Sequence, residues 1–166
     1  DVQIYTCTGP VPPFSRANLP LVMRSVAVNP SWQTIMSEGF EGAWPTAGWT
    51  VTDPGYEEYF WGKRNCHAAT GSNSAWAMGA GSKGKDLNCG ANYINGAFSW
   101  MIYGPFNLAG ITQADFQMRL WLNSESGYDG LCQMASTNGT DFFGSCYSGT
   151  SGGSFVPETL DLTNVF

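Results

Sequence analysis

Three kinds of stretch in this sequence carry residues that do chemistry elsewhere: a glycine-rich run with two lysines, a serine among glycines, and scattered carboxylates. The run Gly79-Ala80-Gly81-Ser82-Lys83-Gly84-Lys85-Asp86 satisfies G-x-G-x-x-G through Gly79, Gly81 and Gly84. It also nearly fits a P-loop, with Asp86 where a magnesium-binding Ser or Thr belongs. Both patterns hold phosphate on the amides that open a helix. Here the chain continues Leu87-Asn88-Cys89-Gly90-Ala91, which sustains no helix, and Asp86 repels phosphate. A loop between strands is the better reading. Gly149-Thr150-Ser151-Gly152-Gly153 fits G-x-S-x-G, which needs a sharp, supported turn and a base oriented by an acid. Nothing around Ser151 or the single His67 supplies either, so small residues after a hairpin are expected. Glu57 and Glu58 are adjacent and in a strand face opposite sides, so they are not the paired acids of a glycosidase. Glu38, Glu41 and Asp53 are the candidate oxygen donors for a structural calcium. No residue is assigned a catalytic role, and the chain is read as non-enzymatic.

Cysteine chemistry is more informative. The five cysteines stand at 7, 66, 89, 132 and 146, with no C-x-x-C and no second histidine for a zinc site. Asn138-Gly139-Thr140 lies midway between Cys132 and Cys146. A hairpin turning there sets 132 opposite 146, which predicts a cross-strand disulfide. Cys66 and Cys89 form the natural second pair, leaving Cys7 free or available to another chain. Two disulfides imply an oxidising setting, extracellular or at the cell surface after loss of a signal peptide. The sequence starts at Asp1 without the charged and apolar regions of such a peptide, and reads as a processed end. Asn138-Gly139-Thr140 is also a glycosylation sequon, although glycine in the turn explains it sufficiently.

Composition narrows the partners. Of 166 residues only 12% are charged, with a net charge of -6. Acidity argues against nucleic acid, and no apolar run reaches the length of a membrane helix, so no membrane insertion is expected. A surface built from Ser, Thr, Asn, Gln and Gly repels copies of itself weakly. Trp44, Trp49, Tyr56, Tyr59 and Trp61 lie close together in sequence. Exposed rings stack on sugars, which makes Trp49, Tyr59 and Trp61 candidate glycan contacts.

The elements that must position these residues are short strands. Ala114–Asn123 alternates, with Phe116, Met118, Leu120 and Leu122 on one face and Gln117, Arg119 and Trp121 on the other. Phe98, Trp100 and Ile102 share a face, and segments 48–53, 73–79, 130–137, 141–148 and 156–162 add further strands. Glycine occurs 21 times and interrupts helical periodicity. The expected fold is all-β, an antiparallel sandwich of jelly-roll type over residues 34–166. Residues 1–33 read as a Pro-punctuated arm. It carries a strand-like alternation at Val2 and Ile4 and a long apolar strand around Leu19, Leu21, Val22, Met23, Val26 and Val28.

The order of Glu38–Asp53, Tyr59–Cys66, Ser99–Leu108, Leu120–Leu131 and Leu160–Val165 resembles MAM-like jelly-roll domains of bacterial secreted proteins. Such domains are attached to immune-inhibitor-A-type metallopeptidases. The resemblance implies a disulfide-bearing, extracellular, non-catalytic sandwich, and the peptidases' H-E-x-x-H is missing from this chain. In those domains the segment similar to Leu160–Val165 is followed by one or two further strands, so a sandwich lacking them is expected to accept a strand from elsewhere. The expected function is therefore a structural subunit that polymerises, the arm of one copy filling the gap in the next. Its expected partners are copies of itself. Two alternatives stand beside it: a carbohydrate- or surface-binding module, with glycans as partners, and a monomer whose arm folds back and closes its own sandwich.

Overall fold

Period-two alternation decides this structure, a computed structural model that describes residues 2–8, 31–55 and 58–163, without the side chains of 5–8. The elements run β1 (Val2–Thr8), β2 (Ser31–Glu38), β3 (Trp49–Thr52), β4 (Phe60–Arg64), β5 (Ser74–Ala80), a one-turn helix α1 (Gly81–Gly84), β6 (Trp100–Tyr103), β7 (Gln113–Leu120), β8 (Gly130–Ala135), β9 (Phe143–Ser148) and β10 (Val156–Asp161). Every strand expected between residues 48 and 162 is present. One four-stranded sheet has the order β10-β7-β1-β2, and three two-stranded ladders pair β3 with β6, β4 with β5 and β8 with β9. All pairings are antiparallel. The fold is an all-β sandwich.

Its core lies on one face of the large sheet. Ala114, Met118 and Leu120 of β7 are buried beside Val2 and Ile4 of β1, Met36 of β2 and Leu160 of β10. The opposing layer supplies Trp49, Met101 and Tyr103 from β3 and β6, and Leu131, Ala135 and Tyr147 from β8 and β9. Phe40, Trp44, Trp49, Tyr103 and Phe106 form a run of ring contacts with centroids 4.9 to 6.0 Å apart along this interface. The two layers are pinned by a buried polar contact. Gln133, 2% exposed, donates its amide to the Phe116 carbonyl at 2.7 Å and accepts from the Tyr147 hydroxyl at 3.3 Å. An unpaired amide at such a site costs about 1–3 kcal/mol, so the contact fixes where β8 crosses β7.

Both expected disulfides form, Cys66–Cys89 and Cys132–Cys146. Cys132 faces Cys146 in the ladder, the register read from the Asn138 turn. The turn is held by Asn138, whose Oδ1 accepts from the amides of Thr140 and Asp141 at 2.9 and 2.8 Å.

Two features of the sequence reading change. The glycine-rich run contains α1 where a loop was expected, yet that single turn is framed by packing. Gly81 has φ +92, and a Cβ there would collide with the Glu58 carbonyl. The Arg64 guanidinium caps the turn, donating to the carbonyls of Gly79, Gly84, Lys85 and Leu87. Residues 2–8, read as part of an arm, form an inner strand of the main sheet, because Val2 and Ile4 carry the same apolar face as β7. The segment with Leu19, Leu21, Val22, Met23, Val26 and Val28 lies outside the described residues.

Candidate functional site

The first strand occupies a slot. β1 pairs with β2 from Val2↔Glu38 to Thr8↔Ser31 and with β7 from Val2↔Met118 to Cys7↔Gln113. Val2 and Ile4 are each 4% exposed, and full burial of such side chains contributes about 1.5–3 kcal/mol apiece. Without β1 the sheet has a gap between β2 and β7 and a hole in its core. Antiparallel neighbours need only a two- to five-residue turn. Between the end of β1 and the start of β2 the sequence instead has residues 9–30, far more than such a turn needs. The sequence signal for this placement was the Val2/Ile4 alternation. Cys7 stands on β1 in register with Trp32 and Gln113.

A second concave feature lies on the outer face of the opposing layer. Period two sends Met101 and Tyr103 into the core and leaves Trp100 and Ile102 facing away from it. With Thr52, Pro54, Met134, Thr140 and Phe142 they line an open cleft of about 400 Å³. The Trp100 and Phe142 rings lie 5.2 Å apart, and Phe98, 55% exposed, meets Trp100 edge-on at 5.8 Å. Sequence reading put Phe98, Trp100 and Ile102 on one face without recognising it as an outer one.

The predicted glycan residues are placed differently. Tyr59 is 7% exposed, Trp49 packs between Trp44 and Tyr103, and the Trp61 indole donates to the Ser99 carbonyl at 3.1 Å. These rings brace the interior. The three calcium candidates cap three separate turns. Glu38 accepts from the Phe40 amide and the Thr46 hydroxyl. Buried Asp53 accepts from the amides of Gly55, Glu58 and Tyr59. Glu41 accepts from the amides of Ser72 and Asn73, both at 2.8 Å, which holds its carboxyl below the ordinary value. Among the described residues no group of three or more His, Cys, Asp or Glu side chains is arranged to hold a metal.

The serine motif is likewise absorbed by structure. Ser151 Oγ donates to the Ser154 carbonyl at 2.7 Å and accepts from the Leu122 amide at 3.1 Å. The His67 ring stacks on Trp121 with centroids 4.3 Å apart. Lys83 of the glycine-rich run pairs with Glu58 at 2.7 Å, a contact that raises the lysine pKa.

No protein-family model, no curated protein and no solved structure matches this chain. The two disulfides are consistent with an extracellular protein, and among the described residues no helix is long and apolar enough to cross a membrane.

Proposed function

We propose that this chain is a secreted, non-catalytic structural subunit that self-assembles into an extracellular filament or surface layer by exchanging its first strand. In the assembled form β1 of one copy fills the slot between β2 and β7 of the next. The observation that carries the reading is an inner strand tethered by residues 9–30 to a neighbour that a short turn would serve. The inserted strand is Val2–Thr8, in place of the apolar segment 19–28 expected to be the donor, which lies outside the described residues. Strand donation uses the sheet's own hydrogen bonds and pockets, so no new interface chemistry is needed. The contact is heterologous and propagates as a fibre unless it closes into a ring. A surface with 12% charged residues opposes such packing weakly. Cys7 belongs to the exchanged strand, and in this reading its thiol links subunits covalently. The likeness to MAM-type jelly rolls belongs to this reading as its picture of the parent fold.

Negative-stain electron microscopy tests it. Intact protein should form filaments. Protein lacking residues 1–30, which keeps all of β2, refolded with a synthetic peptide of residues 1–8, should give single particles. Intact protein that stays single at every concentration would refute the reading.

A second reading, a glycan- or surface-binding module, draws on the cleft with Trp100 and Phe142. Its polar groups are few, Thr52 and Thr140, where sugars require several. Glycan binding by a monomer, abolished by Trp100→Ala, would favour this reading instead.

A further inference from the structure

Asn138-Gly139-Thr140 does more than turn the chain. The turn needs its glycine, which has φ +76. It does not need a hydroxyl at position 140. The Asn138 Oδ1 that Thr140 Oγ1 meets at 2.9 Å already accepts from the amides of Thr140 and Asp141. Asn-x-Thr is the acceptor pattern for an N-linked sugar. Asn138, Gly139, Thr140 and Asp141 are all exposed, and a Cβ on Gly139 would meet nothing within 4 Å. The Asn138 Nδ2 carries two hydrogens. One goes to the Asp141 carboxylate at 2.6 Å, and among the described residues nothing takes the other. The outer cleft begins at this same turn. Thr140 and Phe142 line it together with Trp100 and Ile102, which puts Asn138 one side chain from the cleft wall. The Trp100 and Phe142 rings, 5.2 Å apart and inclined at 53°, make two of its walls.

We infer that Asn138 is a glycosylation site and that its first sugar lies in the cleft against Trp100 and Phe142. The apolar C–H face of a sugar ring stacks on aromatic faces of this kind. With Thr52 and Thr140 as its only polar lining groups, the cleft is a poor trap for a free sugar. A sugar bonded to Asn138 needs no trap, because the bond holds it beside the cleft at a roughly millimolar effective concentration and weak stacking then suffices. In the modification Nδ2 attacks C1 of a sugar activated as a lipid-linked glycosyl pyrophosphate. The N–C1 bond forms, the C1–O bond to the pyrophosphate breaks, and one amide proton is released with that leaving group. Nothing is oxidised or reduced. The hydrogen left on Nδ2 still reaches Asp141, so the turn keeps its bonds. The cleft belongs to the layer opposite the four-stranded sheet, so the inference does not depend on strand exchange.

Peptide mapping by mass spectrometry, on protein from its native source, tests the attachment. The peptide containing Asn138 should carry a sugar mass, and a glycan-releasing amidase in heavy-oxygen water should convert Asn138 to labelled Asp. Thr140→Val keeps both amide bonds of the turn and should lose the sugar. A bare Asn138 in the parent, or a sugar retained in Thr140→Val, would overturn the proposal. NMR of the same glycoprotein tests the placement. Ring protons of the first sugar should be shifted upfield and show through-space contacts to the Trp100 indole. Trp100→Ala should return them to the positions of a free glycan while the sugar stays on Asn138. Phe142→Ala strikes the other wall and should do the same, which keeps the test decisive if one variant fails to fold. Free-glycan positions in the parent, or shifts that survive in the folded variants, would overturn the placement.

Discussion

The two edges of the four-stranded sheet were treated differently. β10 ends it on one side with Val-Pro-Glu-Thr-Leu-Asp, where Pro157 removes a donor and Glu158 and Asp161 place charge on the strand. β2 ends it on the other side with no proline and one engaged carboxylate. Both strands bury one side of the same core, through Leu160 and Met36. Burial against the core therefore does not account for the difference. The inner strand β1 makes a third case, with both of its sides paired and its core residues Val2 and Ile4 each 4% exposed.

The largest effect should come from striking the inner strand rather than an edge. Ile4→Ala removes a buried side chain and should cost about 2–5 kcal/mol in denaturant unfolding, whereas Thr34→Lys on β2 should stay within about 0.5 kcal/mol. Comparable losses would erase the distinction between slot and edge. Replacing Cys132 and Cys146 together by serine should cost about 3 kcal/mol, the value for closing a loop of that length, without altering pairing at β2. Gln133→Ala should lose about 1–3 kcal/mol by removing the hydrogen bonds to the Phe116 carbonyl and the Tyr147 hydroxyl, and calorimetry would record it.

Smaller changes probe the charge on β10. Asp115 faces Asp161 across the β7–β10 ladder, and its carboxyl is raised, first by burial and then by the Asp161 charge. A raised carboxylate binds its proton more readily in the folded state, so ionisation near neutral pH works against folding. That penalty fades as pH falls through the folded value toward the ordinary 3.8. Asp161→Asn keeps an acceptor for the Thr163 amide and should raise neutral-pH stability by a few tenths of a kcal/mol, about the scale of an opposed like-charge pair. Glu41 has the opposite sign. Its lowered pKa supports the fold above the ordinary value of 4.5 and is lost as pH falls through the lower folded value. Glu41→Gln should therefore flatten the acid side of the melting-temperature profile, and an unchanged profile would deny Glu41 that role.

Much of the sandwich was legible because its signals are local. Alternation placed β7, and the symmetry of Cys132 and Cys146 about Asn138 set a hairpin register. What alternation cannot state is which strand lies beside which. Val2 and Ile4 looked strand-like, yet their place between β2 and β7 depends on partners more than 20 residues away in one direction and more than 100 in the other. The same limit hid the cleft. Trp100 and Met101 are both apolar, and only the layers around them decide which faces out. Carboxylates misled for a related reason. Glu38, Glu41 and Asp53 resemble metal donors in sequence, but Glu38 and Asp53 accept from amides of their own turns and Glu41 from those of Ser72 and Asn73 in a distant one.

Exchange of β1 is the claim on which the rest depends, and a covalent clamp tests it most directly. Gln3 faces Ser37 across the β1–β2 ladder, with its amide 3.4 Å from the serine hydroxyl. In protein carrying Cys7→Ser, Gln3→Cys and Ser37→Cys, oxidation links β1 to whichever β2 it accompanies. The account predicts a ladder of covalent multimers on a non-reducing gel, collapsing to one band on reduction. A single monomer band with the new disulfide formed inside each chain would contradict it.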